Sequence, residues 1–293
     1  MISHTMNQYF SSADAAFDYI LRELRCSGEL VSARGSSQKE VLFMEIGLHS
    51  PTNCIVQNRR RKFKPLYAVA EFLWYVSGSR SSLNIGKVAK VWDNISDENN
   101  EVESNYGSIL FNETDAGSPW RKVVDELKKD QFSRRAVMSV YSHANSTCNT
   151  KDVPCTLALQ FFIRNNLLHC KVNMRSNDVV FGFCNDVFAF SLMQQMMLNE
   201  LLASYPDLKL GWYVHSVGSM HIYEDKFHLL ASEPKKFTHE PEYIRLRPGW
   251  TLDALRRKWS LPEEGISKDE IYQHSYNALQ EVFDTNIKPK WHL

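Results

Sequence analysis

Cys155 stands in the sequence Pro154-Cys155-Thr156, twenty residues before Arg175. A thiol attacks carbon only as its thiolate, and nearby arginines favour that form. Arg134 and Arg135 follow Ser133, and Arg175 precedes Ser176. Arginine also presents a planar fork that grips phosphate through paired hydrogen bonds. These three arginines could therefore serve a thiolate, an anionic ligand or both, if the fold gathers them. Glu71 sits within an otherwise apolar stretch, where a carboxylate is costly unless it is paired or functional. Asp178 and Asp186 flank the apolar run Val179 to Phe183. His221 and Tyr223, two residues apart, can face one ligand. Singly, each has a plainer meaning. A lone cysteine is usually a buried thiol, and Asn185 or Asp186, just ahead of a long apolar segment, reads as a helix cap.

The elements that must position these groups follow from periodicity. Ser12 to Leu24 predicts a helix with Phe17, Ile20, Leu21 and Leu24 on one face, Ser12 as its cap and Arg22 and Arg25 near its end. The polar loop Arg34 to Ser37 leads into a strand over Val41 to Ile46. The basic run Asn58 to Phe63 reads as a solvated turn. Pro65 to Val76 is apolar on most sides, so it predicts a buried helix carrying Glu71. Trp120 to Lys129 predicts an amphipathic helix, and Ala136 to Tyr141 a strand. Ser142 to Val153 is a polar loop. Leu157 to Ile163 and Leu167 to Met174, joined at Arg164-Asn165-Asn166, form a hairpin signal. Val187 to Ala203 predicts a second core helix whose methionines fill space. Lys209 to Val217 reads as a strand, His221 as the start of a helix, and Lys268 to Phe283 as another helix.

Composition removes several function classes. Lys+Arg and Asp+Glu number 34 each, so no net field calls for nucleic acid or an anionic membrane. No apolar run approaches the roughly 20 residues needed to span a bilayer. The N-terminus lacks a signal pattern, which implies a cytoplasmic protein. The six cysteines show no Cys-x-x-Cys pair, so thiols are expected and neither a disulfide framework nor a metal site. Apolar residues at 43% are enough for a sizeable core, and without repeats or linkers the 293 residues read as a single domain.

Taken together, the motifs resemble the thymidylate synthase family from about residue 15 to 230. The pieces stand in the family's order: Arg34-Gly35, Ala70-Glu71-Phe72-Leu73-Trp74, Val91-Trp92-Asp93, Asn105-Tyr106-Gly107, Ser133-Arg134-Arg135, Pro154-Cys155, Arg175-Ser176-x-Asp178 and His221-x-Tyr223. Within it, Thr156 after the cysteine and Asp186 at the base-reading position look like the cytidylate hydroxymethylases rather than the synthases. The segment from about 240 to 293 departs from the family and ends Lys288-Pro289-Lys290-Trp291-His292-Leu293. The resemblance implies an α+β fold, with a mixed β-sheet and helices around a long buried core helix, and a homodimer formed through the sheet.

It also implies a reaction. Cys155 adds to C6 of a pyrimidine nucleoside monophosphate, and C5 takes a one-carbon unit from 5,10-methylenetetrahydrofolate. Glu71 handles protons, and Asn105 and Tyr106 line the attacked carbon. Arg34, Arg134, Arg135, Arg175 and Ser176 hold the phosphate, with Arg134 and Arg135 donated by the partner subunit. His221 and Tyr223 take the sugar, and Trp92 and Asp178 face the folate. Asp186 reads the base: a carboxylate accepts from the cytosine amino group and meets N3 through one shared proton. The expected activity is 5-hydroxymethylation of dCMP or CMP, without a metal. Methyl transfer to dUMP or dCMP, and a nucleotide-binding protein that has lost the chemistry, are the other readings.

Overall fold

The computed structural model describes residues 8–33, 35–58, 61–147, 151–231 and 240–288. Its strands are β1 (Gln8–Phe10), β2 (Glu29–Ala33), β3 (Ser36–Leu48), β4 (Val137–Ser139), β5 (Thr156–Arg164), β6 (Leu167–Asp178), β7 (Lys209–Tyr223), β8 (Ile244–Leu246) and β9 (Phe283–Thr285). Its helices are α1 (Ala13–Ser27), α2 (Pro65–Ser77), α3 (Ile85–Val88), α4 (Val91–Ile95), α5 (Tyr106–Phe111), α6 (Pro119–Lys129), α7 (His143–Thr147), α8 (Cys184–Leu201), α9 (Leu252–Trp259) and α10 (Lys268–Val282).

Seven strands form one mixed sheet, in the order β1-β3-β7-β6-β5-β4, with β2 paired to β3. The β5–β6 pair is the antiparallel hairpin expected from its turn residues, and β6 runs parallel to β7. This makes the α+β architecture with a mixed sheet. The core is centred on α8, in which every residue from Cys184 to Met197 is buried. A helix apolar all round can only be interior. Fully burying each Phe, Leu or Met side chain there contributes roughly 1.5–3 kcal/mol. Two polar residues inside it tie it to its neighbours: the Gln194 amide N–H donates to the Leu168 and Trp212 carbonyls, and Gln195 accepts from the Leu246 N–H. Helix α2 lies alongside, buried from Leu66 to Val76, with Pro65 at its first turn and Gly78 in the left-handed conformation at its end.

Several expectations change. Strands β6 and β7 run on to Asp178 and Tyr223, beyond the predicted ends at Met174 and Val217, and His221 is a strand residue rather than the start of a helix. In β6 the buried residues alternate from Leu168 to Met174 and then change phase to Asn177, and in β7 the alternation gives way after Val217 to a buried run Met220 to Ile222, so a strict period-two apolar count stops short of both strand ends. The long helix starts at Cys184, three residues early, after a π-helical turn at Val179–Phe183. That turn is capped by Asp178, whose carboxylate accepts from the N–H groups of Val180, Phe181 and Gly182 at 3.2, 2.6 and 3.3 Å, and α8 itself has no side-chain cap. Neither Asn185 nor Asp186 caps it; both are buried. Short α7 interrupts the predicted loop after Ser142, and α9, capped by Thr251, was not signalled by the sequence pattern.

Candidate active site

The parallel register of β6 and β7 brings their last residues side by side, with Ser176 opposite Ser219 and Asp178 opposite His221. The antiparallel register of β5 and β6 brings Thr156 opposite Met174. The entry to β5 therefore lies at the exit of β6, and Cys155 stands beside Arg175 and Ser176. The Arg175 N–H donates to the Cys155 carbonyl at 2.8 Å, and the Ser176 hydroxyl lies 3.8 Å from the Cys155 sulfur. The Arg175 guanidinium donates to the Pro154 and Val153 carbonyls, both at 2.9 Å, and reaches Ser176 Oγ at 3.3 Å. It thus braces the loop that presents the thiol.

Glu71, Tyr106 and Asp186 form the floor. Glu71 is 4% exposed, and its Oε1 accepts from Tyr75 at 2.7 Å. Burial pushes its carboxyl up to about 7, while the Tyr67 and Tyr75 hydroxyls and Arg61 pull the other way. Asp186, 9% exposed, is pushed up to about 8 by burial and by the charge of Glu71, against a hydrogen bond from Asn177. Tyr106 is buried and packs on Phe190 at 5.3 Å and Tyr75 at 5.4 Å. Burial, then Asp186 and Cys155, hold its hydroxyl protonated well above the usual range. Asn105 caps α5 through its Oδ1 on the Ser108 N–H, and its buried Nδ2 has no partner among the described residues. Gly107 is needed because a Cβ there would come within 1.7 Å of the Tyr75 carbonyl. That close approach seats α5 on α2 and brings Tyr106 against Tyr75.

His221 and Tyr223 end β7, their rings edge-on at 5.1 Å. His221 is buried, and Tyr223 is partly exposed. Trp92 lies half-buried, donates to the Tyr67 hydroxyl at 3.1 Å and packs on Trp74 at 4.9 Å. Phe181 stands 37% exposed beside Tyr67. Together they make an aromatic wall next to Glu71, suited to stacking a flat bicyclic ring. Arg134 and Arg135 are exposed ahead of β4, outside this cluster. Arg34 lies outside the described residues. The five described cysteines are all thiols, whereas Cys148 lies outside them. No group of three potential ligands for a metal ion occurs among the described residues, and none of their helices is long and apolar enough to cross a membrane.

Two groups escaped the sequence reading. Arg61 belongs to the basic run that the sequence predicts to be a solvated turn, but it is close enough to Glu71, Tyr67 and Cys184 to lower the pKa of each. Its only signal was a basic residue shortly before a buried acidic one. Asn177 and His215 join Asp186 in a buried hydrogen-bonded chain. For His215 the sequence offers a polar residue on the inward phase of a strand, and for Asn177 it offers none.

The chain is similar to known proteins. The thymidylate synthase family model matches residues 31–250. The deoxycytidylate 5-hydroxymethyltransferase of Enterobacteria phage T6 is 33% identical over 172 residues, covering 56% of this chain and 69% of that protein. The deoxyuridylate hydroxymethyltransferase of Bacillus phage SP01 is 29% identical over 219 residues, covering 71% of this chain and 56% of that protein. In fold, the chain resembles the thermostable thymidylate synthase A from Bacillus subtilis, with a TM-score of 0.68 over 96% of this chain and 97% of that one, at 18% identity. With that fold, the hydroxymethyltransferase relatives and a family match spanning the cysteine, both buried carboxyls and the strand ends around them, the chain belongs to the thymidylate synthase family.

Proposed function

We propose that this chain is a pyrimidine nucleotide 5-hydroxymethylase acting on dCMP, with CMP as the neighbouring possibility. The observation that carries the reading is Asp186: a buried carboxyl, held largely protonated, in the cluster of Cys155, Glu71 and Tyr106. A neutral carboxyl offers one donor and one acceptor, which is what N3 and the amino group of cytosine require.

The family's co-substrate is methylenetetrahydrofolate. When bound, it supplies the one-carbon unit, and the aromatic wall of Trp92 and Phe181 fits its pterin ring. Cys155 adds to C6 of the base as Asp186 donates toward N3, so that C5 becomes nucleophilic. C5 takes the one-carbon unit and then loses its proton, leaving an exocyclic methylene on the base and releasing tetrahydrofolate. Water adds to the methylene, the Cys155 sulfur leaves C6, and the product is the 5-hydroxymethyl nucleotide. Glu71, pushed up to about 7 by burial and with an Oε2 that has no hydrogen-bond partner among the described residues, is suited to moving these protons in either direction. Tyr106 and Asn105 line the attacked carbon. Arg175 and Ser176 take the phosphate, and His221 and Tyr223 the sugar. Trp92 and Asp178 stand on the folate side. Asp178 would act with a carboxylate already engaged by three backbone N–H groups.

Arg34, Arg134 and Arg135 complete the phosphate shell, the last two from the partner of a homodimer. Their exposure within one chain supports this, as do the exposed apolar residues Leu42, Phe43, Val137 and Leu157 on β3, β4 and β5. The test is to incubate the protein with methylenetetrahydrofolate and dCMP, CMP or dUMP in turn, and weigh the product. A hydroxymethyl cytosine nucleotide with tetrahydrofolate is expected. A methyl product with dihydrofolate would replace this reading with methyl transfer, and no product from any nucleotide would end it.

A further inference from the structure

Behind Asp186 runs a chain of buried polar groups that the reaction does not itself require. Tyr213, His215 and Asn177 are 0%, 0% and 3% exposed. The Tyr213 hydroxyl lies 2.9 Å from His215 Nδ1, His215 Nε2 lies 3.1 Å from Asn177 Oδ1, and Asn177 Nδ2 lies 2.7 Å from Asp186 Oδ2. Four residues from two neighbouring strands and α8 are joined end to end.

Its direction follows from donors and acceptors. Burial drives His215 down to about 3, so its ring is neutral, with one donor and one acceptor nitrogen. Tyr213 has no other acceptor for its hydroxyl hydrogen among the described residues, and a buried donor left unmade costs about 1–3 kcal/mol. The hydroxyl therefore donates to Nδ1, and Nε2–H donates to Asn177 Oδ1. The amide is then oriented with Nδ2–H toward Asp186 Oδ2. Gly182 leaves room for it: a Cβ there would come within 2.7 Å of Asn177 Nδ2.

The consequence falls on the base. A neutral carboxyl free to place its proton on either oxygen can read cytosine or uracil. It donates to N3 and accepts from the amino group in one case; it accepts from N3–H and donates to O4 in the other. An N–H held on Oδ2 makes that oxygen the acceptor and leaves the proton to Oδ1, which has no partner among the described residues. We propose that Asn177 is a specificity-determining residue: its amide, oriented by His215 and Tyr213, pins the Asp186 proton on Oδ1, so that the carboxyl distinguishes cytosine from uracil rather than accepting both. The role is that of a positioning residue acting through Asp186, and it rests on the reading of Asp186 as the base contact.

The experiment measures kcat/KM for dCMP and dUMP, with the dissociation constant of each nucleotide, in the parent and in Asn177→Ala, His215→Leu, His215→Gln and Asp186→Asn. Asn177→Ala and His215→Leu should each lower the dCMP:dUMP ratio about tenfold, the equivalent of one misdirected hydrogen bond. His215→Gln, which can still donate to Asn177 and accept from Tyr213, should restore most of it. Loss of packing alone would lower both substrates together and leave the ratio unchanged. An unchanged ratio in Asn177→Ala, with a shifted ratio in Asp186→Asn, overturns the proposal and leaves the base contact standing. An unchanged ratio in all four variants overturns the base contact as well. If Asn177→Ala does not fold, the His215 pair decides: equal ratios in Leu and Gln overturn the proposal, and unequal ones uphold it.

Discussion

Arg175 and Cys155 hold one another in place. The Arg175 N–H donates to the Cys155 carbonyl at 2.8 Å, and its guanidinium closes over the Pro154 and Val153 carbonyls just ahead. An arginine near a nucleophilic cysteine suggests charge stabilisation; here its hydrogen bonds are first of all structural. Lysine, with a single point charge, cannot reproduce the two-carbonyl grip. Arg175→Lys should therefore lower kcat as well as raise the KM for nucleotide. Steady-state kinetics on both parameters checks this: a change in KM alone would mean that the bracing of the loop is immaterial.

Cys155→Ser should lower turnover by about three orders of magnitude or more while leaving the melting temperature close to the parent's, since a hydroxyl is a far weaker nucleophile in a site of similar volume. Product mass and a thermal melt measure the two effects. Turnover equal to the parent's would remove covalent addition from the mechanism.

Glu71→Gln preserves shape but cannot carry a proton. A loss in kcat of about 10²–10⁴-fold is expected, with a smaller change in nucleotide affinity. The parent's kcat should also vary across pH 6 to 9, where Glu71 and Asp186 titrate, and the Glu71 variant should lose one limb of that profile. A profile unaltered by the substitution would assign the proton transfers elsewhere.

Stability should depend on pH with a definite sign. Asp186 is raised to about 8, Glu71 to about 7 and Asp14 to about 6, each chiefly by burial. Below their ordinary carboxyl values, folded and unfolded chains are equally protonated. Above them, the unfolded chain loses protons that the folded one retains, so stability falls as pH rises toward 8. Urea midpoints from pH 5 to 9 should decline in the parent and decline less in Glu71→Gln and Asp186→Asn. Equal slopes in all three would contradict the burial argument.

The partner-subunit role of Arg134 and Arg135 can be tested by mixing. Arg134→Glu/Arg135→Glu and Cys155→Ser should each be nearly inactive. After co-refolding, a mixed dimer would contain one site with both defects and one intact site, so activity should return to a substantial fraction of the parent's. No recovery would place these arginines at their own chain's site or at none.

Much of the site was legible as residue types in order. Cys155, Glu71 and Arg175 stand out by residue type as a thiol, an acid in an apolar stretch and an anion fork, whereas Asp186 reads as a helix cap by pattern and becomes a base-reader candidate only through the family resemblance. The helix and hairpin patterns likewise determined α1, α2, α6 and β5–β6 to within a few residues. What only the tertiary structure decided was where hydrogen bonds go. Asp178 and Asp186 look alike in the sequence, yet one caps a π-helical turn and the other sits buried against Asn177. Arg61 looks like one more charge of a basic run, yet it is close enough to Glu71 to lower its pKa. Asn177 lies past a change of phase in β6, beyond the strand end the apolar pattern predicts at Met174, and His215 is a buried polar residue within β7. The physical reason is common to all of them. Local sequence determines backbone period and cap chemistry, but whether a polar group meets water, a backbone N–H or another side chain depends on strands distant in sequence and adjacent only in the folded sheet.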